Sequence, residues 1–174
     1  RINQVQINNK INLDFARILR SALRQDPDIM LIGEMRDEET AEIALRAAMT
    51  GHMVLSTLHT NDAVSTAIRL IDMGVDAFLV ASSLRAVIAQ RLIRRLCENC
   101  KQPYQPEGRD KSWLISLQGN DHGHYHKAQG CHQCNNTGYS GRIGIYELLE
   151  MNENLLDALR RANASEFTKT AYAD

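Results

Sequence analysis

The 174-residue sequence predicts an α/β fold, in which a parallel strand pair with packed helices precedes a small cysteine-bound module and C-terminal helices. Three observations carry this expectation. Two short apolar runs, Ile29-Met30-Leu31-Ile32 and Met53-Val54-Leu55, flank a helical pattern of twelve residues, Glu38 to Met49; strand, helix and strand in that order form a parallel pair with a right-handed crossover. The four cysteines are grouped as Cys97-x-x-Cys100 and Cys131-x-x-Cys134. Between and beyond them the texture changes: residues 97–141 hold all four cysteines, two of the three prolines and four of the six histidines, with few apolar runs.

Each element has its own local signal. Residues 2–7 alternate Ile2, Val5 and Ile7 with Asn and Gln, the pattern of a short strand or edge. Asn12 is a candidate cap for a helix to about Arg24, with Phe15, Ile18, Leu19, Ala22 and Leu23 at helical spacing on one stripe. Asp26-Pro27-Asp28 breaks it. The run Ile29–Ile32 is wholly apolar, as expected of a strand buried on both faces. Asp37 is placed to cap the helix that ends at Gly51. The second strand is expected to end near Leu58, followed by a helix from Asp62 to Met73 that stops at Gly74, and by a longer helix from Asp76 to Leu96. Residues 143–149 read as a strand or a helix start, and helices are expected over 155–161 and 166–173. The expected divisions are therefore residues 1–96, 97–141 and 142–174.

Composition narrows the function classes. A net charge of −1 is unlike the basic footprint of a nucleic-acid binder. Hydrophobic residues at 44% and charged residues at 24% suit a globular domain, and no apolar run approaches the ~20 residues that span a bilayer. Two Cys-x-x-Cys pairs favour a metal site in a reducing compartment over a disulfide scaffold.

Ligands of parallel sheets bind beyond the carboxyl ends of the strands. The first strand runs out into Gly33-Glu34-Met35-Arg36-Asp37 and the second into Ser56-Thr57-Leu58-His59-Thr60-Asn61, so both exits share one rim. Adjacent strands are about 4.8 Å apart, which brings Glu34 and His59 within reach of one cavity. An acid at the end of an apolar strand is where many ATPases place a carboxylate beside magnesium and the attacking water. The plainer reading makes Glu34 a solvated charge paired with Arg36, and His59 a hydrogen-bonded structural residue. His52, after Gly51 at a helix end, is accounted for by its interaction with the helix dipole. The combination on one rim raises the functional reading.

On these residues the chain resembles the ATPases of type II secretion and type IV pilus assembly. Leu31-Ile32-Gly33-Glu34-Met35-Arg36-Asp37 is similar to their Walker B segment, and residues 50–61, Thr-Gly-His-Met-Val-Leu-Ser-Thr-Leu-His-Thr-Asn, to their histidine box. Leu23-Arg24-Gln25-Asp26-Pro27-Asp28 resembles the family's lead-in, and Gln90-Arg91-Leu92 before Cys97 its entry into the metal module. The resemblance implies a RecA-like P-loop fold and a homo-hexameric ring that works on an inner-membrane platform protein. It further implies ATP and magnesium as ligands of the intact protein, and a cytoplasmic location at the inner membrane of a Gram-negative bacterium, with membrane contact only through partners and no nucleic acid. It assigns Glu34 to polarising water or holding the metal. His59, and less directly His52, are assigned to communication with the nucleotide, while Arg36, Arg91 and Arg94 become candidates for contacting phosphate or a neighbouring subunit. The cysteine module points to the extension or secretion branch, with the mannose-sensitive haemagglutinin type of pilus motor as the nearest expectation.

One departure matters. None of the ten glycines is followed by lysine, so the Gly-x-x-x-x-Gly-Lys-Ser/Thr phosphate loop is missing, as is the family's acidic box ahead of Ile2. The chain is accordingly expected to be a piece of a longer protein, inactive alone. Cys97, Cys100, Cys131 and Cys134 supply four thiolates for a tetrahedral, structural zinc. Gly138 and Gly141 suit tight turns under the sulfurs, while Arg94, Arg95, Lys101 and Arg142 are near enough in sequence to offset the charge. His122, His124, His126 and His132 are not expected to be ligands. The alternative function is a non-catalytic zinc-ribbon module that binds nucleic acid or protein.

Overall fold

The computed structural model describes residues 2–117 and 123–173. They divide into two compact units, residues 1–89 with 146–174, and residues 90–145.

In the first unit, α1 (Phe15–Ala22) leads into β1 (Ile29–Ile32), α2 (Glu38–Met49), β2 (Met53–Ser56), α3 (Ala63–Asp72) and α4 (Ala77–Ser83). The strands β1 and β2 pair in parallel, Ile29 opposite Met53 and Ile32 opposite Ser56. Three aspartates start α2, α3 and α4: Asp37 accepts from the Thr40 amide at 2.8 Å, Asp62 from Ser65 at 2.7 Å and Asp76 from Leu79 at 3.1 Å. Each satisfies an amide that has no partner within its own helix. At Gly51 and Gly74 φ is +105° and +103°, the left-handed conformation that ends a helix at little cost only for glycine.

Helix α2 is buried on two sides. Ala44 and Ala47 pack with Leu19 of α1 and with Met30 and Ile32 of β1. Ala41 and Leu45 join a second core with Ala63, Val64, Ala67 and Leu70 of α3 and Leu79, Val80 and Ala81 of α4. The last two helices, α6 (Glu153–Arg160) and α7 (Ala164–Ala171), close that same core through Leu155, Ala158, Leu159 and Phe167. Phe167 is fully buried. Phe167→Ala is therefore expected to destabilise this unit by about 3–5 kcal/mol, lost transfer energy plus the cavity left behind; a denaturant midpoint that does not move would contradict the packing.

Four expectations are corrected. The helix expected over 76–96 ends at Ser83, where Leu84 turns extended (φ −69°, ψ 127°), and Ala86–Leu96 forms the strand β3. Its neighbour is β6 (Tyr139–Glu150), which also resolves the ambiguity over 143–149. Val87, Ile88 and Ile93 suit either pattern locally, and a distant partner strand decides between them. Asn12 does not cap α1; Asp14 does, accepting from the Arg17 amide at 2.8 Å, while Asn12 is left-handed (φ 55°) at the end of a short 3₁₀ turn. Residues 2–7 form no strand among the described residues, and Ile2 and Val5 are exposed, because alternation without a partner ladder holds nothing in place. Finally, β1 is buried on one face only. Met30 and Ile32 lie against α1 and α2, whereas Ile29 and Leu31 are exposed beside Met53 and Leu55.

In the second unit, β4 (Gln102–Tyr104) pairs antiparallel with β5 (Tyr125–Lys127), with α5 (Gly108–Ser116) between them in sequence. Its buried cluster is made of Cys97, Cys100 and Cys134, with Pro106 the other buried apolar side chain among those described. Trp113, Ile115 and Leu117 are exposed.

Candidate functional site

The parallel register puts Gly33 and Thr57 side by side just beyond the strand ends. Thr57 Oγ1 donates to the Gly33 carbonyl at 2.7 Å, and the Met35 amide donates to the Thr57 carbonyl at 3.1 Å. These two bonds continue the pairing for one residue and fix the exits of both strands. Glu34 lies between them with its side chain only 15% exposed, which rules out a freely solvated charge.

Both carboxylate oxygens of Glu34 are engaged. His59 Nε2 is 2.8 Å from Oε1, and Arg36 Nε donates to Oε2 at 2.5 Å. Arg36 and His59 are themselves 67% and 87% exposed. The carboxylate is thus the fixed centre of the group, and its two partners form a wet rim around it. Chemically, this is a half-buried acid whose oxygens face a solvent-accessible guanidinium and imidazole, at the sheet edge where parallel folds receive ligands.

His52 is elsewhere. It precedes the first residue of β2, while Glu34 and His59 follow the last residues of β1 and β2, so the strand separates them by roughly 13 Å. His52 Nδ1 lies 3.0 Å from the Ala47 carbonyl and 3.1 Å from Thr50 Oγ1, closing the C-terminus of α2. Arg91 and Arg94 belong to the second unit. There the Arg94 guanidinium stacks 3.9 Å above the Tyr139 ring centroid.

The second unit holds the four cysteines. Their sulfurs all lie within 4.8 Å of one another, and no other cluster of three or more metal-ligating side chains occurs among the described residues. The Sγ–Sγ separations are 3.9 Å for Cys97–Cys131, 3.9 Å for Cys100–Cys134 and 3.7 Å for Cys131–Cys134. Four thiolates arranged tetrahedrally about 2.3 Å from a zinc ion stand about 3.8 Å apart, so the geometry fits; a disulfide would need about 2.05 Å.

Backbone amides supply part of the electrostatics. Cys134 Sγ accepts from the amides of Cys131 and Gly138, each at 3.2 Å. Burial raises the Cys134 thiol, but these two amides and the neighbouring cysteines bring it down to about 6. Cys100 is pushed up to about 11, mainly by burial, against the lowering effect of the Gly130 amide. Gly138 cannot readily be replaced: its φ is +77°, and a Cβ there would meet the Ala128 Cβ at 2.6 Å. Gly141, at φ +74°, has open space around it. The expected role of nearby cations in offsetting the sulfur charge is corrected in part. Lys101 and Arg95 pair instead with Glu98, at 2.5 and 3.8 Å, and Arg94 is engaged with Tyr139. His124, His126 and His132 stand outside the cysteine cluster, and His122 lies outside the described residues.

Two contributors carry no sequence signal of their own. The Gly130 amide is recognisable only once the two cysteine pairs are brought together. Glu147, on β6, accepts from the Ala63 amide at 3.1 Å across 84 residues.

The profile of the family described as Type II/IV secretion system protein matches residues 1–174. The type II secretion system protein E of Pseudomonas aeruginosa is 46% identical over 172 residues, covering 99% of this chain and 34% of the relative. The type IV pilus assembly ATPase PilB of Myxococcus xanthus is 49% identical over 175 residues, covering 98% and 31%. Among solved structures, the pilus retraction motor PilT with bound ADP superposes with a TM-score of 0.61 at 30% identity, over 92% of this chain and 36% of that one. The chain therefore spans about a third of the length of the relatives it matches. A match over the whole chain, with identities near one half, establishes that this protein belongs to the type II/IV secretion system protein family.

Proposed function

We propose that this chain is part of a homo-hexameric motor that hydrolyses ATP to drive type IV pilus assembly or type II secretion. The observation that carries the reading is the half-buried Glu34 at the carboxyl rim of β1 and β2, contacted by His59 from the neighbouring strand exit. In that reading Glu34 orients the attacking water or holds magnesium, and His59 answers to the terminal phosphate. Arg36 donates to the second carboxylate oxygen from the exposed rim. Bound magnesium would supply charge stabilisation for the transferred phosphoryl group.

The assembly and secretion branch is favoured over retraction. Identity is 46% and 49% to the relatives named for secretion and pilus assembly, and 30% to the one named a retraction motor. The motor's partner is then an inner-membrane platform protein, with the motor itself on the cytoplasmic side; among the described residues no helix is long and apolar enough to cross a membrane. The four cysteines hold one structural zinc, supported by the sulfur spacings.

A paired measurement tests the reading. The whole-length protein should show magnesium-dependent ATP turnover, whereas the 174-residue chain alone should neither bind ATP tightly nor hydrolyse it. The missing Gly-Lys loop normally supplies most phosphate contacts. Turnover by the short chain, or none by the whole-length protein, would refute it.

A further inference from the structure

We propose that Glu147 is a positioning residue for His59, acting through the N-terminus of α3; this rests on the role proposed above for His59. The loop that carries His59 is anchored at both ends. At its start, Thr57 is bonded to Gly33 and Met35. At its end, Thr60 Oγ1 shares a 2.7 Å hydrogen bond with Thr66 Oγ1, one turn inside α3, and Thr66 Oγ1 also donates to the Asp62 carbonyl at 3.0 Å. The second anchor is therefore only as firm as the first turn of α3.

That turn is held by two carboxylates. Asp62 takes the Ser65 amide at 2.7 Å, and Glu147 takes the Ala63 amide at 3.1 Å. Asp62 is part of the loop's own continuation and moves with it. Glu147 reaches in from β6, 84 residues away, and ties the turn to a different part of the first unit. Ala63 is fully buried, so without Glu147 water cannot readily take its amide's hydrogen bond. A carboxylate is also the favourable group at the positive end of a helix dipole.

His59 needs this support because it has little of its own. Its side chain is 87% exposed and meets Glu34 at 2.8 Å. An exposed imidazole stays over the carboxylate only if the backbone beneath it is fixed. Loss of the Glu147 bond frees the first turn of α3, then the Thr60–Thr66 link, then His59.

The test is a double-mutant cycle in the whole-length protein, reading turnover, nucleotide affinity and thermal stability separately. Glu147→Ala should lower kcat about as much as His59→Ala, on the order of 10-fold or more, with nucleotide affinity unchanged. In the His59→Ala background, Glu147→Ala should add nothing, because the group it positions is gone. Glu147→Gln, which keeps an acceptor oxygen, should recover most of the turnover lost in Glu147→Ala. Glu147→Asp, which keeps the charge but falls one methylene short, should not, and serves if the alanine variant fails to fold. Additive losses, or normal turnover in Glu147→Ala and Glu147→Asp beside a slow His59→Ala, would overturn the positioning role. Normal turnover in His59→Ala would instead remove the functional reading on which it rests.

Discussion

Glu34→Gln in the whole-length protein is expected to lower ATP turnover by about 100-fold or more while leaving nucleotide affinity nearly unchanged. The substitution keeps the volume of the side chain and one acceptor oxygen, so the exits of β1 and β2, held by Thr57 and Met35, should stay in place. What it removes is the negative charge between His59 and Arg36. If that charge acts in the chemical step, the loss falls on kcat, since an interaction made mainly in the transition state leaves ground-state binding alone. His59→Ala should slow turnover less, because it removes one partner of the carboxylate and leaves the carboxylate itself. Steady-state turnover measured beside equilibrium binding of a fluorescent nucleotide separates the two quantities. Wild-type turnover in Glu34→Gln would show that the acid is a strand-end charge and nothing more.

The second large effect concerns metal, and this chain alone can test it. One zinc per chain is expected, bound by Cys97, Cys100, Cys131 and Cys134 in a closed site without a water ligand. Cys131→Ser should abolish its retention. The surrounding packing makes the consequence large: among the described residues, the buried apolar side chains of the second unit are three of those four cysteines and Pro106. Trp113, Ile115 and Leu117 face solvent and bury little. A module without an apolar core draws its order from the metal, and structural zinc contributes on the order of 10 kcal/mol to folding in small modules. The variant should therefore become sensitive to protease over residues 97–141, while β1, β2 and the core around Phe167 persist. Elemental analysis of protein purified without added metal, together with limited proteolysis, reads both halves of the expectation. A metal-free wild type with an intact module would overturn it, as would disulfides within the pairs.

Much of the first unit was written in local signals. The apolar runs at Ile29–Ile32 and Met53–Leu55, the aspartates at 37, 62 and 76, and the glycines at 51 and 74 mark β1, α2, β2, α3 and the start of α4. Each signal works within a few residues, through a cap, a left-handed turn or a short apolar strand. The placement of Glu34 and His59 on one rim followed from the same signals, because a parallel pair has only one carboxyl edge. The two Cys-x-x-Cys pairs announced their cluster because chemistry, more than packing, limits what four such thiols do together.

Tertiary structure decided what depends on partners far along the chain. Residues 86–96 carry enough apolar spacing for a helix, and only β6, more than forty residues later, supplies the ladder that makes them a strand. Whether β1 is buried on one face or two depends on what covers it, which its own four residues cannot encode. The 15% exposure of Glu34, the engagement of both its oxygens and the reach of Glu147 to Ala63 are likewise set by the assembled fold. Periodicity and capping record the demands a segment makes on its neighbours. The identity of those neighbours is fixed only when hydrogen bonds and burial are satisfied across the whole unit at once.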